Sequence, residues 1–145
     1  MNAMLKPTPT YTLLSPAEIE LIQSQFARIG RDADGFAIDF YDALFSIAPL
    51  VRAMFRGPMP EQRAKLVKVL SMLVASLRNP AALDAPLAEL GRRHRGYGVL
   101  ALDYDKVGEA LLQALGMRLG DAFDAGARAA WGKLYVHVAS RMMAG

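Results

Sequence analysis

The chain has 145 residues, a size that fits one ordinary domain with one core and excludes a second catalytic module. Hydrophobic residues make up 53% and charged residues 21%, which excludes the disordered class; the apolar surplus either lines an internal ligand pocket or fills an Ala- and Leu-rich core. Lys and Arg outnumber Asp and Glu by 17 to 14 without a long run of like charge, and cysteine is absent, so nothing points to nucleic acid, disulfides, thiolate metal sites or a cysteine nucleophile.

Residues 1–14, with Pro7 and Pro9 among threonines, read as a flexible N-terminal extension, and residues 15–145 as a single domain. The extension has neither an apolar signal core nor a cleavage pattern, and no window approaches a membrane span. A cytoplasmic location follows as the default. Ser15-Pro16-Ala17-Glu18 makes a helix start: Ser15 caps free amides, Pro16 suits the first helical position and Glu18 completes a capping box. This first helix carries Ile19, Ile22 and Phe26 on one face and stops near Gly30.

A second helix starts at about Asp32 or Asp34, carries Phe36, Phe40, Tyr41, Leu44 and Phe45, and is interrupted by Pro49. A short helical turn runs from Pro49 to Phe55. Gly57, Pro58 and Pro60 then break the chain before a long helix with Leu66, Leu70, Leu73 and Leu77, closed by Asn79-Pro80. An amphipathic piece spans about Asp84 to Arg95 and ends at Gly96 and Gly98. Two further helices occupy roughly Asp103–Leu119 and Asp121–Met143. No stretch alternates long enough to be a strand and no repeat is present, so the fold class is all-α.

One titratable ring stands out. Leu83, Leu87, Leu90 and His94 share a helical face, which turns an imidazole toward the core. A histidine so placed serves either as a satisfied core residue or as a ligand. An axial haem ligand needs a neutral imidazole on a fixed element, with its other ring N–H held by a carbonyl, and Leu90 supplies one four residues back. Arg92, Arg93 and Arg95, with Lys65 and Tyr97, are either donors for haem propionates at a pocket rim or a solvated basic face. Gln62, one turn before Leu66, and Tyr41, among Ala37, Leu44 and Phe45, are polar residues beside apolar stripes. Residue type alone leaves open whether they face a ligand, anchor the core or, for Gln62, meet solvent.

Several segments together resemble the globins, over nearly the whole chain from Ser15 onward. Leu90-Gly91-Arg92-Arg93-His94-Arg95-Gly96-Tyr97-Gly98-Val99 and Val107-Gly108-Glu109-Ala110-Leu111-Leu112 are similar to neuroglobin around its proximal histidine. Arg128-Ala129-Ala130-Trp131-Gly132-Lys133-Leu134-Tyr135 resembles both neuroglobin and the bacterial single-domain haemoglobins. Phe40-Tyr41-Asp42-Ala43-Leu44-Phe45 and Pro49-Leu50-Val51-Arg52-Ala53-Met54-Phe55 resemble the globin domains of flavohaemoglobins.

The resemblance implies the globin fold around haem b, with the short helix between the third and fifth positions of the family order reduced or absent. It implies His94 as the iron ligand and Phe55 as the ring stacked on the haem. Leu90, Arg93, Tyr97, Val99 and Tyr104 would be neighbours on the histidine side, with Lys65 at the rim. Tyr41 and Gln62 fall where the bacterial members carry distal hydrogen-bond donors, and Leu66 where they carry an apolar distal residue. Each such bond to a polarised acceptor, of about 1.5–3 kcal/mol, would slow oxygen release by roughly tenfold to a hundredfold. Distal glutamine in place of histidine argues against the bis-histidine ligation of neuroglobin, and His137, late in the last helix, is not expected to reach the iron. Tyr104 matches the proximal tyrosine of flavohaemoglobins, but the chain ends at Gly145 before their partnering glutamate, which weakens the expected push toward peroxidase-like activation.

The function implied is reversible binding of dioxygen, and of CO and NO, for storage, transport or scavenging. The alternative is a nitric oxide dioxygenase served by an external reductase, since no flavin module fits this length. A haem-free globin-like interaction domain is disfavoured by the joint presence of His94, Phe55 and Gln62. A monomer or weak homodimer is expected.

Overall fold

A computed structural model describes residues 13–145. The extension expected over residues 1–14 therefore lies outside the described residues up to residue 12, and Leu14 at its end is buried in the core. Among the described residues the chain is helical and strand-free, in line with the all-α reading.

Helix α1 (Pro16–Ile29) starts on the capping box: the Ser15 hydroxyl accepts from the Glu18 amide at 3.1 Å and the Glu18 carboxylate accepts from the Ser15 amide at 2.9 Å. A 3₁₀ turn at Gly30–Asp32 leads into α2 (Ala33–Ile47), whose first amides are capped by the Asp32 carboxylate, bonded to the Gly35 N–H at 3.1 Å. Its inner face carries Phe36, Ala37, Phe40, Tyr41 and Leu44, all buried. Pro49 stops α2 and begins a 3₁₀ segment, Pro49–Met54.

Helix α3 (Met59–Ala75) starts earlier than the breaker reading of Pro60 allows. Pro60 lies within its first turn, where a missing N–H removes none of the intrahelical bonds. The helix ends at Ala75, and Leu77 is buried in the turn beyond it. A 3₁₀ turn, Pro80–Leu83, precedes α4 (Asp84–Gly96). Helix α5 (Ala101–Leu119) begins before Asp103, because the Asp103 carboxylate reaches back to the Leu100 amide at 2.8 Å and acts inside the first turn. The last helix, α6 (Ala125–Ala144), starts at Asp124 and not at Asp121: the Asp124 carboxylate accepts from the Ala127 N–H at 2.9 Å, and Asp121 sits in a preceding 3₁₀ turn.

Helix α2 packs most extensively on α5, and α4 on α6. Two polar ties cross the interior. The Trp131 indole N–H donates to Gln25 Oε1 at 2.9 Å, and Gln25 Nε2 donates to the Ala122 carbonyl at 2.8 Å, so a buried amide is satisfied at both ends. At the surface Arg118 of α5 bonds Asp39 at 2.6 Å and Asp32 at 2.9 Å, both on or beside α2. Helix α3 packs on α2 and α1, and α4 on α6, while α3 and α4 share no substantial interface. Leu66, Val69 and Leu70 on α3 and Leu90 on α4 pack against the core yet remain only half-buried. The core is left open along one side, between these two helices.

Candidate functional site

Helix α4 carries His94 at its C-terminal end. Leu83 and Leu87 are buried on the same face, and Leu90 and His94 are half-buried above them, so the apolar stripe runs from the core to the open side. His94 Nδ1 lies 2.8 Å from the Leu90 carbonyl oxygen. A carbonyl only accepts, so Nδ1 carries a proton in this contact, and in the neutral ring the lone pair is then on Nε2. A backbone carbonyl at Nδ1 is the kind of partner that orients a ligating imidazole with its Nε2 outward.

Two tyrosines flank the imidazole. The Tyr104 ring centroid is 6.5 Å away with the planes 31° apart, and the Tyr97 centroid is 6.0 Å away at 55°. Tyr104 is 7% exposed, and burial pushes its phenol above the ordinary tyrosine value against the charge of Arg95. Tyr97 is 62% exposed. Val99 is half-buried beyond the helix end, its amide bonded to the His94 carbonyl at 3.1 Å. Gly98, with φ at +88°, makes the left-handed turn that ends α4 there.

A second constellation forms where α2, α3 and the Pro49–Met54 segment meet. Gln62 Nε2 donates to the Tyr41 hydroxyl oxygen at 3.2 Å. Tyr41 is 5% exposed, and burial raises its pKa, with the Gln62 bond acting the other way. At neutral pH it is a protonated donor. Phe55 stands edge-on to Tyr41, centroids 5.4 Å apart, and edge-on to Phe45 at 5.5 Å. Leu66, one turn beyond Gln62, is half-buried.

The structure thus brings Tyr41, Gln62 and Phe55 together, and separately His94, Leu90, Tyr97 and Tyr104. Lys65 is exposed on α3. Arg93 is exposed and pairs with Glu89 at 3.4 Å, as does Arg92 at 2.6 Å, and those guanidiniums hold the Glu89 carboxyl below its usual range. His137 lies on α6, where it interacts with Arg141 and with Asp84 at the start of α4. Two contributors escape sequence reasoning. Arg52 lies over the Phe45 ring at 5.3 Å, and Tyr135 donates its hydroxyl to the Tyr104 carbonyl at 2.5 Å. Tyr135 lies within a segment of recognisable pattern, but its partner is a main-chain atom, which no side-chain pattern reveals.

The donor set restricts what His94 can hold. Among the described residues no group of three or more His, Asp or Glu side chains is placed to bind a metal ion. A single imidazole with a free Nε2, on the edge of an open apolar core, fits a metal that brings its own equatorial donors, as iron in a porphyrin does. No helix of the described residues is long and apolar enough to cross a membrane.

The comparisons with known proteins agree with this geometry. A family model described as Globin matches residues 38–142. Neuroglobin of Dissostichus mawsoni is 28% identical over 146 aligned residues, covering 91% of this chain and 92% of that protein. Neuroglobin-1 of Oncorhynchus mykiss is 29% identical over the same shares. Among solved structures, an engineered carbene transferase, assigned as a nitric oxide dioxygenase from Rhodothermus marinus, superposes with a TM-score of 0.77 at 27% identity, covering 88% of this chain and 89% of that one. The match of the family model over well more than half of the sequence, on a core of helices left open beside one tethered histidine, decides the assignment: the chain belongs to the globin family, whose members generally bind haem.

Proposed function

We propose that this globin holds haem b through Nε2 of His94 and reversibly binds dioxygen, CO or NO, with Tyr41 and Gln62 as hydrogen-bond donors to the gas. The observation that carries the reading is the 2.8 Å contact of His94 Nδ1 with the Leu90 carbonyl, which in the neutral ring leaves Nε2 as the lone-pair donor. When bound, the haem supplies a ferrous iron with an exchangeable sixth position.

The chain's own residues do the rest. Leu90 orients the imidazole and keeps its tautomer. Leu66, Leu90 and Val99, all half-buried, would contribute apolar surface to a haem site, and Phe55 an aromatic face. Gln62 points an N–H at the Tyr41 oxygen, which leaves the Tyr41 O–H to donate onward to a polarised diatomic ligand. Lys65 and Arg93 are exposed cations that can meet carboxylates at the rim. Residues 15–145 act as one haem-binding unit in this reading.

An absorption spectrum of the purified chain as isolated, reduced, and reduced under CO tests the proposal. An intense Soret band that shifts on reduction and again with CO supports it. A sample that stays colourless after incubation with hemin overturns it.

The structural likeness to an assigned nitric oxide dioxygenase favours a second reading. In it one dioxygen, one NO and one electron give one nitrate, the electron coming from an external reductase. Sustained NADH-dependent NO consumption with a reductase present separates this from a binder, which stops after a single turnover.

A further inference from the structure

We propose that Tyr135 is a positioning residue for His94, acting through the main chain of Tyr104; the inference rests on the reading of His94 as the haem ligand. The bond that carries it runs from the Tyr135 hydroxyl on α6 to the Tyr104 carbonyl in the first turns of α5, at 2.5 Å. Tyr104 in turn presents its ring to His94.

The imidazole is restrained on its own helix only by the Leu90 carbonyl, which sets the rotation of the ring. Its distance from α5 has to be set elsewhere. The direct connection between α4 and α5 is short and contains Gly98 in the left-handed region, a joint with little stiffness of its own. Helix α6 bridges both sides. At Gly91, one turn before His94, α4 runs so close to α6 that a Cβ would collide with the Met142 carbonyl. At Tyr135, two turns earlier on α6, the phenol reaches α5. One rigid helix therefore holds the proximal helix at Gly91 and the facing tyrosine at Tyr104.

Gly108 completes the arrangement. It lies one turn beyond Tyr104 on the same helix, and a Cβ there would stand 2.7 Å from the Tyr135 ring. Glycine at this position opens the groove through which the phenol reaches the carbonyl. The Tyr135 hydroxyl is pushed above the ordinary tyrosine range, first by burial and then by Tyr104 and Asp105, so it stays protonated and donates. A tyrosine that only filled space would need neither the glycine nor the bond.

The test uses the full chain reconstituted with hemin, reduced without added gas, and reads the iron–histidine stretching band by resonance Raman. The variants are Tyr135→Phe, which keeps the ring and removes the bond, and Gly108→Ala, which pushes the ring aside. Ile22→Val, in the core of α1, is the control for a plain loss of stability. The expected result is a shifted and broadened band in the first two and an unchanged band in the control, with matching changes in the His94 ring resonances of the haem-free chain by NMR. An unchanged band and unchanged ring resonances in Tyr135→Phe overturn the proposal, whatever the melting temperature does. If His94→Gly retains the band, the ligand assignment fails instead, and the haem-free NMR comparison alone then decides the positioning role.

Discussion

Gln62 and Tyr41 are joined by a hydrogen bond of 3.2 Å in which the amide donates to the phenol oxygen, tying α3 to α2. The direction of that bond matters more than its length. A hydroxyl whose oxygen is already engaged as an acceptor has its proton free for a third partner, and its polarity as a donor is strengthened by the bond it receives.

Tyr41→Phe and Gln62→Leu are each expected to retain haem and to speed oxygen dissociation by roughly tenfold to a hundredfold, the range for losing a hydrogen bond of about 1.5–3 kcal/mol to a polarised ligand. The double variant should fall short of the product of the two, because the pair acts as one network. Stopped-flow dissociation of the oxygenated chain measures this, and unchanged rates in both single variants would remove the distal roles.

His94→Ala removes the only imidazole placed at the open side of the core. Hemin transfer to an acceptor apoprotein should become faster by more than about tenfold, since even indirect supports of a metal ligand are worth about that much. A rate equal to that of the parent chain would show that His94 is not the ligand.

Gly91→Ala tests the close approach of α4 and α6. The added methyl meets the Met142 main chain, which cannot rotate away as a side chain would, so the helices must separate. A loss of about 1–3 kcal/mol is expected from denaturant unfolding, the usual cost of overpacking. Full stability in this variant would mean that the two helices part without resistance.

His137 gives a pH dependence. Burial first and the Arg141 charge second hold its pKa below the ordinary 6.5, against the opposing pull of Asp84. The unfolded chain therefore takes up this proton before the folded chain does. Stability is fully present above pH 6.5 and is lost as the pH falls from there through the lowered folded value. The melting temperature of the haem-loaded chain should drop across that window, and His137→Gln should flatten the drop. A drop of the same size in the variant would assign it to other groups.

At still lower pH a second loss is expected from paired carboxylates. Arg118 holds Asp32, Lys133 holds Glu18 and Arg92 holds Glu89 below their ordinary values of 3.8, 4.5 and 4.5. These contributions are present above those values and vanish below them, so the melting temperature should fall again under about pH 4.5, less steeply in high salt because the pairs are exposed.

The helices were legible in the sequence because their signals are local. Ser15 to Glu18 specifies a capped start within four residues, and the stripe Leu83, Leu87, Leu90, His94 specifies a buried face through periodicity alone. Boundaries were misread where one residue type serves two local roles. Pro60 reads as a breaker yet sits in a first turn, and Asp121 reads as the start of the last helix yet lies in the 3₁₀ turn before it, where Asp124 takes the cap.

The sequence by itself determined the residue types that the proposed chemistry needs, and it placed the Leu90 carbonyl one helical turn before His94, because that spacing depends only on the helix. Only the tertiary structure decided what crosses between elements: that Gln62 meets Tyr41, that α3 and α4 leave the core open between them, and that Tyr135 reaches the Tyr104 carbonyl past Gly108. Those relations depend on how helices distant along the chain pack, and a hydrogen bond to a main-chain carbonyl leaves no mark on the identity of the residue that offers it.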